Sequence, residues 1–521
     1  MKRRHLLAAS LGLAMPSVAR SQAVRTLKFI PQSDVTVVDP IWTTAYNTRN
    51  HAFMVFDTLF GMDSAYQFQP QMLEGFTAEP LLWRLTLRTG LRFHDASPVL
   101  ARDCVASIRR WAVRDALGGA LMAATDELTA PDDRVIQFRL NKPFPLLPMA
   151  LGKTSTPMCA MMPERLALTD PFKQVSEIIG SGPFRFKADE RVSGARGVYT
   201  RFADYRPRET GALGWTAGPK ITHFDRVEWV VIPDDGTAAA ALQSGEVDWW
   251  ELPPSDLMPA LKRNGKIRVE IKDPTGVIGF LRMNCLIPPF DNPAIRRALI
   301  GAVDQQDYVT AIAGTDPANW RTGVGVFCPG TAMASDAGMD ALTQKRDLAG
   351  VAAAIKAAGY TGTPVGLMVA TDTNYRKAMG DVGAAMMRSV GMTVDYQAVD
   401  WGTVLRRREN RGPLDKGGWS AVFTTLSGLD MSNPSGHSYR GTGEKAWFGW
   451  PTAPKLETLR DSWMTAPDDA SRNRLGADIQ RQMLIDAPHI PIGQWFQPVA
   501  YRAGLDGMVS GFPIFWNVRK T

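Results

Sequence analysis

Histidine and cysteine, on which zinc sites and many active sites depend, are scarce in this sequence. Its 521 residues include six histidines and four cysteines. The five histidines beyond residue 23, at positions 51, 94, 223, 437 and 489, are scattered and form no His-Glu-x-x-His or His-x-His motif. There is no Cys-x-x-Cys pair either. Because zinc sites usually show such spacings, the sequence predicts no metal site and no other cofactor.

Motifs of other catalytic classes are also missing. No Gly-x-Ser-x-Gly elbow occurs. Residues 152–154 resemble the end of a phosphate-binding loop, but Leu147 stands where its first glycine belongs. We interpret His94 and Asp95 as a satisfied polar pair rather than an acid/base dyad. The sequence therefore favours a protein that is not an enzyme, with a secreted hydrolase on an α/β scaffold as the alternative and a holdase-like chaperone as a third possibility.

A strong excess of charge is absent as well. The formal net charge is +7 at pH 7, and Lys2, Arg3, Arg4 and Arg20 supply four of these charges, so removal of the first 23 residues leaves about +3 (7 − 4). A charge this small on a chain of this length argues against a nucleic-acid partner.

The N-terminus has the pattern of an export signal. Basic residues 2–4 precede a short apolar stretch, residues 6–15, and small residues at 21–23 suit a signal peptidase. A membrane span needs about 20 apolar residues, which this stretch does not reach. We expect a signal peptide over residues 1–23, cleavage near Ala23 and a periplasmic protein, exported by either the general or the twin-arginine route.

The cysteines leave their redox state open. Cys104, Cys159, Cys285 and Cys328 permit three disulfide pairings in an oxidising compartment, and isolated buried thiols fit the sequence equally well. None stands near the predicted cleavage site, so a lipid anchor is not expected.

Hydrophobic periodicity predicts an α/β chain with an antiparallel insertion. Residues 82–88 and 135–140 alternate between apolar and polar side chains, as half-buried strands do. Farther along, the strands 365–369 and 393–399 alternate with helices 348–358 and 375–390, and Gly359 and Gly391 suit the positions just after those helices. Two such strand–helix units indicate a separate α/β lobe.

Residues 291–313 predict one amphipathic helix. Asn292 is a good N-cap and Pro293 suits the first helical position. The apolar stripe includes Ile295, Leu299 and Ile312, and we expect the charged residues Arg296, Arg297, Asp304 and Asp307 to face away from it.

Five segments have distinctive sequences: residues 289–304, the run Ser-Gly-Glu-Val-Asp at 244–248, the turn at 180–184, the segment 55–60 and the Pro-x-Ile-Pro-like return at 488–492. Together they resemble the peptide/nickel class of extracellular solute-binding proteins, family 5, which are receptors for ABC importers. The resemblance covers nearly the whole chain beyond the leader.

This resemblance implies a fold and a set of partners. The fold would be the two-lobed α/β fold of periplasmic binding proteins, class II-like, with an extra small subdomain and a hinge between the lobes. Residues 24–60, 179–270 and 490–521 would form the first lobe, 61–178 the small subdomain, which does not touch ligand in the family, and 271–489 the second lobe. The partners would be a peptide or other small-molecule ligand and the permease and ATPase of an ABC importer at the inner membrane, with the receptor itself a monomer.

The resemblance also implies ligand contacts. The family's tryptophan at a helix start, and the arginine seven residues later, correspond to Trp401 and Arg408. The tryptophan after a glycine near the next strand corresponds to Trp419, and an aromatic after the closing proline to Trp495. A first-lobe contact six residues after Asp-Pro corresponds to Tyr46.

One departure from the family pattern affects the expected ligand. Peptide-binding members place an aspartate three residues after the Gly-Trp pair, where it meets the peptide ammonium, but this chain has Val422. A buried ammonium without a counter-charge would cost several kcal/mol. The sequence therefore favours a solute without a free amino terminus, unless Asp430 supplies the charge from the neighbouring loop; Asp430 could equally cap that loop as an Asx turn.

Residues 447–451 carry three aromatic rings in a segment interrupted by Gly449 and Pro451. Such a segment is a poor place to bury all three rings. We expect Trp447 or Trp450 to line a cleft.

Overall fold

The computed structural model describes residues 24–521, so the predicted signal peptide lies outside the described part. A seven-stranded sheet organises what we call the first lobe. Its central strand, Thr26–Ile30, pairs in parallel with Arg226–Val230 and Trp249–Trp250. The helix between those two, Asp235–Ser244, ends at Gly245 with φ of 84°, a left-handed conformation that favours glycine. The order of strands across the sheet is Ile267–Ile271, Pro498–Arg502, Trp249–Trp250, Thr26–Ile30, Arg226–Val230, Arg196–Arg201, Phe184–Phe186.

A six-stranded sheet organises the second lobe. Its order is Trp320–Arg321, His489–Trp495, Val277–Met283, Ala421–Ser427, Val365–Ala370, Val394–Val399. The last three strands run parallel, as the predicted strand–helix units require. Gly359 and Gly391, with φ of 94° and 81°, follow the helices Leu348–Ala357 and Asn374–Ser389 as predicted.

A four-stranded antiparallel sheet forms the small subdomain. Its order is Leu73–Glu79, Leu82–Leu87, Val135–Leu140, Thr125–Thr129, and the helix Ala101–Arg114 packs against it. Phe60–Met62 pairs with Phe68–Pro70 and Leu505–Asp506 with Arg519–Lys520 as two small ribbons. Apart from two helices within residues 293–313, the remaining α-helices of the described chain are Tyr46–Val55, Ala116–Ala123, Leu147–Gly152, Glu164–Ala167, Met258–Arg263, Asp340–Thr343, Trp401–Arg407, Pro454–Thr465 and Asp469–Asp486.

Two short segments connect the lobes. Residues 272–276 lead from the first sheet into the second, and residues 496–497 lead back. The strand His489–Trp495 belongs to the second sheet, so the chain returns to the first lobe after Trp495 rather than at the predicted residue 490. The predicted limits of the lobes otherwise remain predictions.

The helix predicted over residues 291–313 is two helices. Pro293–Ile300 begins at the N-cap Asn292 as expected, but the chain turns at Gly301 and a second helix, Gln305–Ala313, begins at the N-cap Asp304. Arg296 does not face solvent: its guanidinium is buried and donates to the backbone oxygens of Phe290, Asp486 and Ala487. A side chain predicted to be exposed therefore ties this helix to the end of the helix Asp469–Asp486.

All four cysteines are free thiols, three of them buried and Cys285 half-buried. None of the helices within residues 24–521 has both the length and the apolar character that crossing a bilayer requires.

Candidate functional site

A cavity of about 570 Å³ lies between the second lobe and the face formed by the first lobe and the small subdomain. The second lobe contributes Arg408 and the loop residues that follow the strand Ala421–Ser427. The opposite wall contains residues of the small subdomain, including Lys153, so a solute in this cavity would lie beside the subdomain. The lining includes Trp42, Arg114, Asp115, Lys153, Phe172, Arg408, Leu429, Asp430, His437, Arg440, Trp447 and Phe448.

The aromatic side of the cavity is the pair Trp447 and Phe448, whose ring centroids are 5.6 Å apart. Buried Arg282 holds this loop from below: its Nε donates to the Phe448 carbonyl at 2.5 Å, and its Nη2 donates to the Trp447 carbonyl at 3.3 Å. Gly449 has φ of 97°, and a Cβ there would lie 2.4 Å from the Met283 oxygen, so the turn requires glycine. Trp447 thus lines a cleft, while Trp450 is buried in the core.

Arg408 lies just after the helix Trp401–Arg407 and packs its guanidinium over the Phe448 ring, 4.2 Å from the centroid. Its Nε is buried and has no hydrogen-bond partner among residues 24–521. Burial lowers the pKa of Arg408 to about 10, so the side chain remains charged at neutral pH. The cavity therefore contains an oriented cation whose Nε–H donor is not used by the described part of the protein.

Two further groups complete the charge pattern. Lys153 forms an ion pair with Asp115, which also caps the helix Ala116–Ala123. His437 packs edge-on against Trp447, and burial together with the nearby cations Lys153, Arg282, Arg408 and Arg440 lowers its pKa to about 3. His437 is therefore neutral at physiological pH and can both donate and accept a hydrogen bond.

Tyr46 joins the two lobes. Its hydroxyl donates to Asp430 Oδ2 at 2.8 Å and accepts from the Ser427 N–H at 2.7 Å. Burial and the Asp430 carboxylate raise the pKa of Tyr46, so the hydroxyl keeps the proton that it donates. Asp430 lines the large cavity, and Tyr46 lines a smaller one of about 130 Å³, which we call the small chamber and which both lobes also line.

The predicted contact residues divide into two groups. Arg408 and Asp430 line the large cavity, and Tyr46 lines the small chamber beside it. Trp419 is 0% exposed and Trp495 is 2% exposed, so neither ring reaches either cavity in this arrangement. Trp401 is half-buried, with the Arg376 guanidinium 4.0 Å from its ring centroid.

Asp430 does not cap its loop, contrary to one of the two interpretations. Ser427 Oγ caps the short turn Gly428–Met431 by accepting from the Asp430 N–H, and the Asp430 carboxylate faces Tyr46 instead. Its other oxygen, Oδ1, is buried without a hydrogen-bond partner in the described chain. Val422 is buried in the apolar cluster that includes Trp419 and Trp450.

Sequence reasoning missed Lys153, His437 and Phe448. In the sequence, Lys153 stands out only as part of an incomplete phosphate-binding loop, and His437 only as a candidate metal ligand. Phe448 had a usable signal, since it lies between two tryptophans in the glycine-interrupted segment. His94 contacts Gly180 and Gly182 of the turn rather than Asp95, so no dyad forms. The part of the chain that the structure covers contains no group of three or more His, Cys, Asp or Glu able to hold a metal ion.

Comparison with known proteins decides the family. Residues 67–442, more than two thirds of the chain, match the family of bacterial extracellular solute-binding proteins, family 5. The chain belongs to this family. The two-lobed fold and the solute-binding function expected from the resemblance are therefore confirmed, and the hydrolase alternative has no support.

Relatives of this family 5 protein extend along the full chain. It is 35% identical over 523 residues to a probable peptide ABC transporter periplasmic-binding protein of Sinorhizobium fredii, covering 99% of this chain and 98% of that protein. It is 25% identical to the glutathione-binding protein of Pectobacterium atrosepticum, covering 94% and 92% of the two chains. Its fold is similar to that of AgaA of A. tumefaciens R10, solved with agropinic acid, with a TM-score of 0.79, 18% identity and coverage of 95% and 99%.

Proposed function

We propose that this solute-binding protein captures a peptide or peptide-like organic solute between its lobes and delivers it to the permease and ATPase of an ABC importer. The observation that carries the proposal is the cavity of about 570 Å³, in which aromatic rings and charges of both signs come from both sides of the cleft. A volume of this size suits a small organic solute. The name of the Sinorhizobium relative supports the importer and the peptide class.

We further propose that the protein works in the periplasm as a monomer after removal of residues 1–23. The periplasmic relative and the export pattern of the leader support this location. Solute is bound and released unchanged, because closing and opening of the lobes requires no bond to be made or broken.

Arg408 is the residue that we propose for an anionic group of the solute. Its guanidinium is already oriented by Phe448, and a planar fork of donors matches a carboxylate. Trp447 and Phe448 would supply flat apolar contact area. Trp401, Trp419 and Trp495 act in this proposal as supports of the cleft wall rather than as contacts.

Asp430 is the residue that we propose for a cationic group of the solute. Its unpartnered Oδ1 supports this role, because a buried carboxylate oxygen without a hydrogen bond is costly and an ammonium would satisfy it. Asp430 would then replace the carboxylate that Val422 does not provide, and the solute ammonium would compete with the Tyr46 hydroxyl for it.

Native mass spectrometry of freshly purified protein, followed by calorimetry with trialanine and N-acetyl-trialanine, tests this function. We expect a co-purified solute, and tighter binding of the free tripeptide than of the acetylated one. Asp430→Asn should remove that preference. Arg408→Gln should weaken binding at least tenfold, or about 1.4 kcal/mol, whereas Arg406→Gln on the exposed face of the same helix should not. Absence of any solute, together with equal binding by the Arg408 and Arg406 variants, would reject the proposal.

A further inference from the structure

The small chamber has features of a second binding site. It is enclosed by residues of both lobes and holds about 130 Å³, enough for a carboxylate or phosphate group with some water. The Tyr46–Asp430 hydrogen bond joins a residue that lines the chamber to one that lines the large cavity. Its charged lining residues are Arg49 and Glu251 of the first lobe, Asp273 of the connecting segment, and Arg376 of the second lobe.

Arg49, on the helix Tyr46–Val55, is 4% exposed. Its guanidinium lies 4.5 Å from the ring centroid of Tyr46 and 4.0 Å from that of Phe512. Its Nε donates to Asn50 Oδ1 at 3.3 Å, and no carboxylate within residues 24–521 comes within 4.0 Å of it. Arg49 lines the chamber, and its two Nη groups have no protein acceptor in this part of the chain.

Arg376 approaches the chamber from the helix Asn374–Ser389 of the second lobe. Its guanidinium lies 4.6 Å from the Tyr375 ring centroid and 4.0 Å from that of Trp401. Nη1 donates to Thr373 Oγ1, while the buried Nε finds no acceptor among the described residues. As at Arg49, aromatic faces orient the planar group and leave donors unused.

The acids of the chamber are engaged elsewhere. Glu251 accepts from the Gln32 N–H at 2.7 Å and from Asn50 Nδ2 at 3.4 Å. Asp273 accepts from the N–H and the hydroxyl of Thr275 at 2.8 and 2.6 Å. Burial raises the pKa of Glu251 to about 7, which weakens its negative charge at neutral pH. The buried Arg49 and the half-buried Arg376 therefore line the chamber without an ion-pair partner among the described residues, a costly arrangement unless an anion enters.

We propose that the small chamber binds an oxyanion group, a carboxylate or a phosphate, between Arg49 of the first lobe and Arg376 of the second. Two guanidinium forks, one from each lobe, match the oxygens of such a group. Because the arginines belong to different lobes, the bound anion stabilises the closed arrangement. The group enters either as a free small anion or as the anionic end of a solute.

Thermal unfolding and calorimetry with inorganic phosphate, and with the pair trialanine and trialanine amide, test the proposal and separate the two sources. If the bound group is a free anion, phosphate should raise the Tm of the wild type, and Arg49→Gln and Arg376→Gln should each weaken phosphate binding at least tenfold. If it is the anionic end of a solute, the wild type should bind trialanine more tightly than trialanine amide, and both variants should lose this preference.

Two further variants serve as controls. Arg388→Gln removes an exposed arginine from the same helix as Arg376 and should behave like the wild type. Arg376→Lys keeps the charge without the fork and should retain part of the response. If Arg49→Gln does not fold, the two Arg376 variants still test the proposal. If phosphate has no effect and the peptide pair is not distinguished, or if Arg376→Gln responds like Arg388→Gln, the proposal is overturned. A response to phosphate alone would uphold the chamber even if no peptide bound anywhere.

Discussion

Two buried cations of the first lobe and its inserted subdomain and two buried cations of the second lobe are stabilised in different ways. In the first lobe Lys220, which is 0% exposed, lies 2.7 Å from Asp57, and the buried Arg110, from the subdomain inserted in that lobe, lies 2.7 Å from Asp39. In the second lobe buried Arg282 and Arg296 donate instead to backbone carbonyls. Carbonyl dipoles satisfy the donors but do not cancel the charge.

This difference places positive potential beneath the cavity. Burial lowers the pKa of Arg282 to about 10, so it remains protonated at neutral pH while it holds the Trp447–Phe448 loop. The charge contributes to keeping His437 neutral. Lys220 and Arg110 are thus balanced by carboxylates, whereas Arg282 keeps a positive charge beneath the cavity that a solute can use.

The largest expected effect is the loss of a balancing carboxylate in the first lobe. Asp57→Ala leaves Lys220 buried without a counter-charge and also removes the acceptor of Tyr205. We expect the free energy of unfolding to fall by about 3–5 kcal/mol in urea denaturation. Asp225→Ala, at an exposed ion pair with Arg25, should change it by less than about 1 kcal/mol. Equal losses of stability in the two variants would contradict the view that Asp57 balances a buried charge whereas Asp225 does not.

A smaller loss is expected in the second lobe, because no opposite charge is left behind. Arg282→Met keeps the apolar stem and leaves only carbonyls unsatisfied, so unfolding should become easier by about 2–3 kcal/mol. Solute affinity should fall as well, since Trp447 and Phe448 lose their support. Arg297→Met, at an exposed position on the neighbouring helix, is the control. A loss as large as that of Asp57→Ala would mean that Arg282 is balanced by more than carbonyls.

The smallest effect concerns pH. Burial raises the pKa of Glu251 from 4.5 to about 7, with Gln32, Asn50, Arg49 and Asp273 as its polar and charged neighbours. Between these values the folded state holds a proton that the unfolded state has lost, so stability falls as pH rises through this window and then levels off. Glu251→Gln should flatten the decline and be more stable above pH 7 by roughly 1–2 kcal/mol. Exposed Glu246→Gln should leave the profile unchanged, and an identical profile in both variants would count against this assignment.

Much of the fold could be predicted because periodicity and glycine positions report local backbone. The strands at 82–87, 135–140 and 365–370 and the glycines after two helices were found this way. The break at Gly301 was not, since an apolar stripe can continue through a turn. Arg296 was misplaced for a related reason: a long side chain can bury its charge against carbonyls of a distant helix, and sequence spacing does not show them.

The site was less predictable. Arg408 and Asp430 line the large cavity, but resemblance could not tell that the Trp419 ring turns into the core while Trp447 faces the cleft. Lys153 comes from a subdomain far away in the sequence, and His437 gains its setting only from cations that the fold brings near it. Contacts between distant segments, rather than local propensity, decide these positions.

The connections between the lobes have a geometric consequence for the order of events. Gln494, in the strand that leads into the second connecting segment, donates from Nε2 to the carbonyl of Thr275 in the first connecting segment at 2.6 Å. The two connections therefore lie close together, as the pivot of a hinge motion requires. Gly276 and Gln497, which belong to these segments, also line the small chamber. Residues close to a hinge axis move least when the lobes open. An anion bound in the small chamber therefore keeps more of its contacts while the side of the cleft far from the hinge opens.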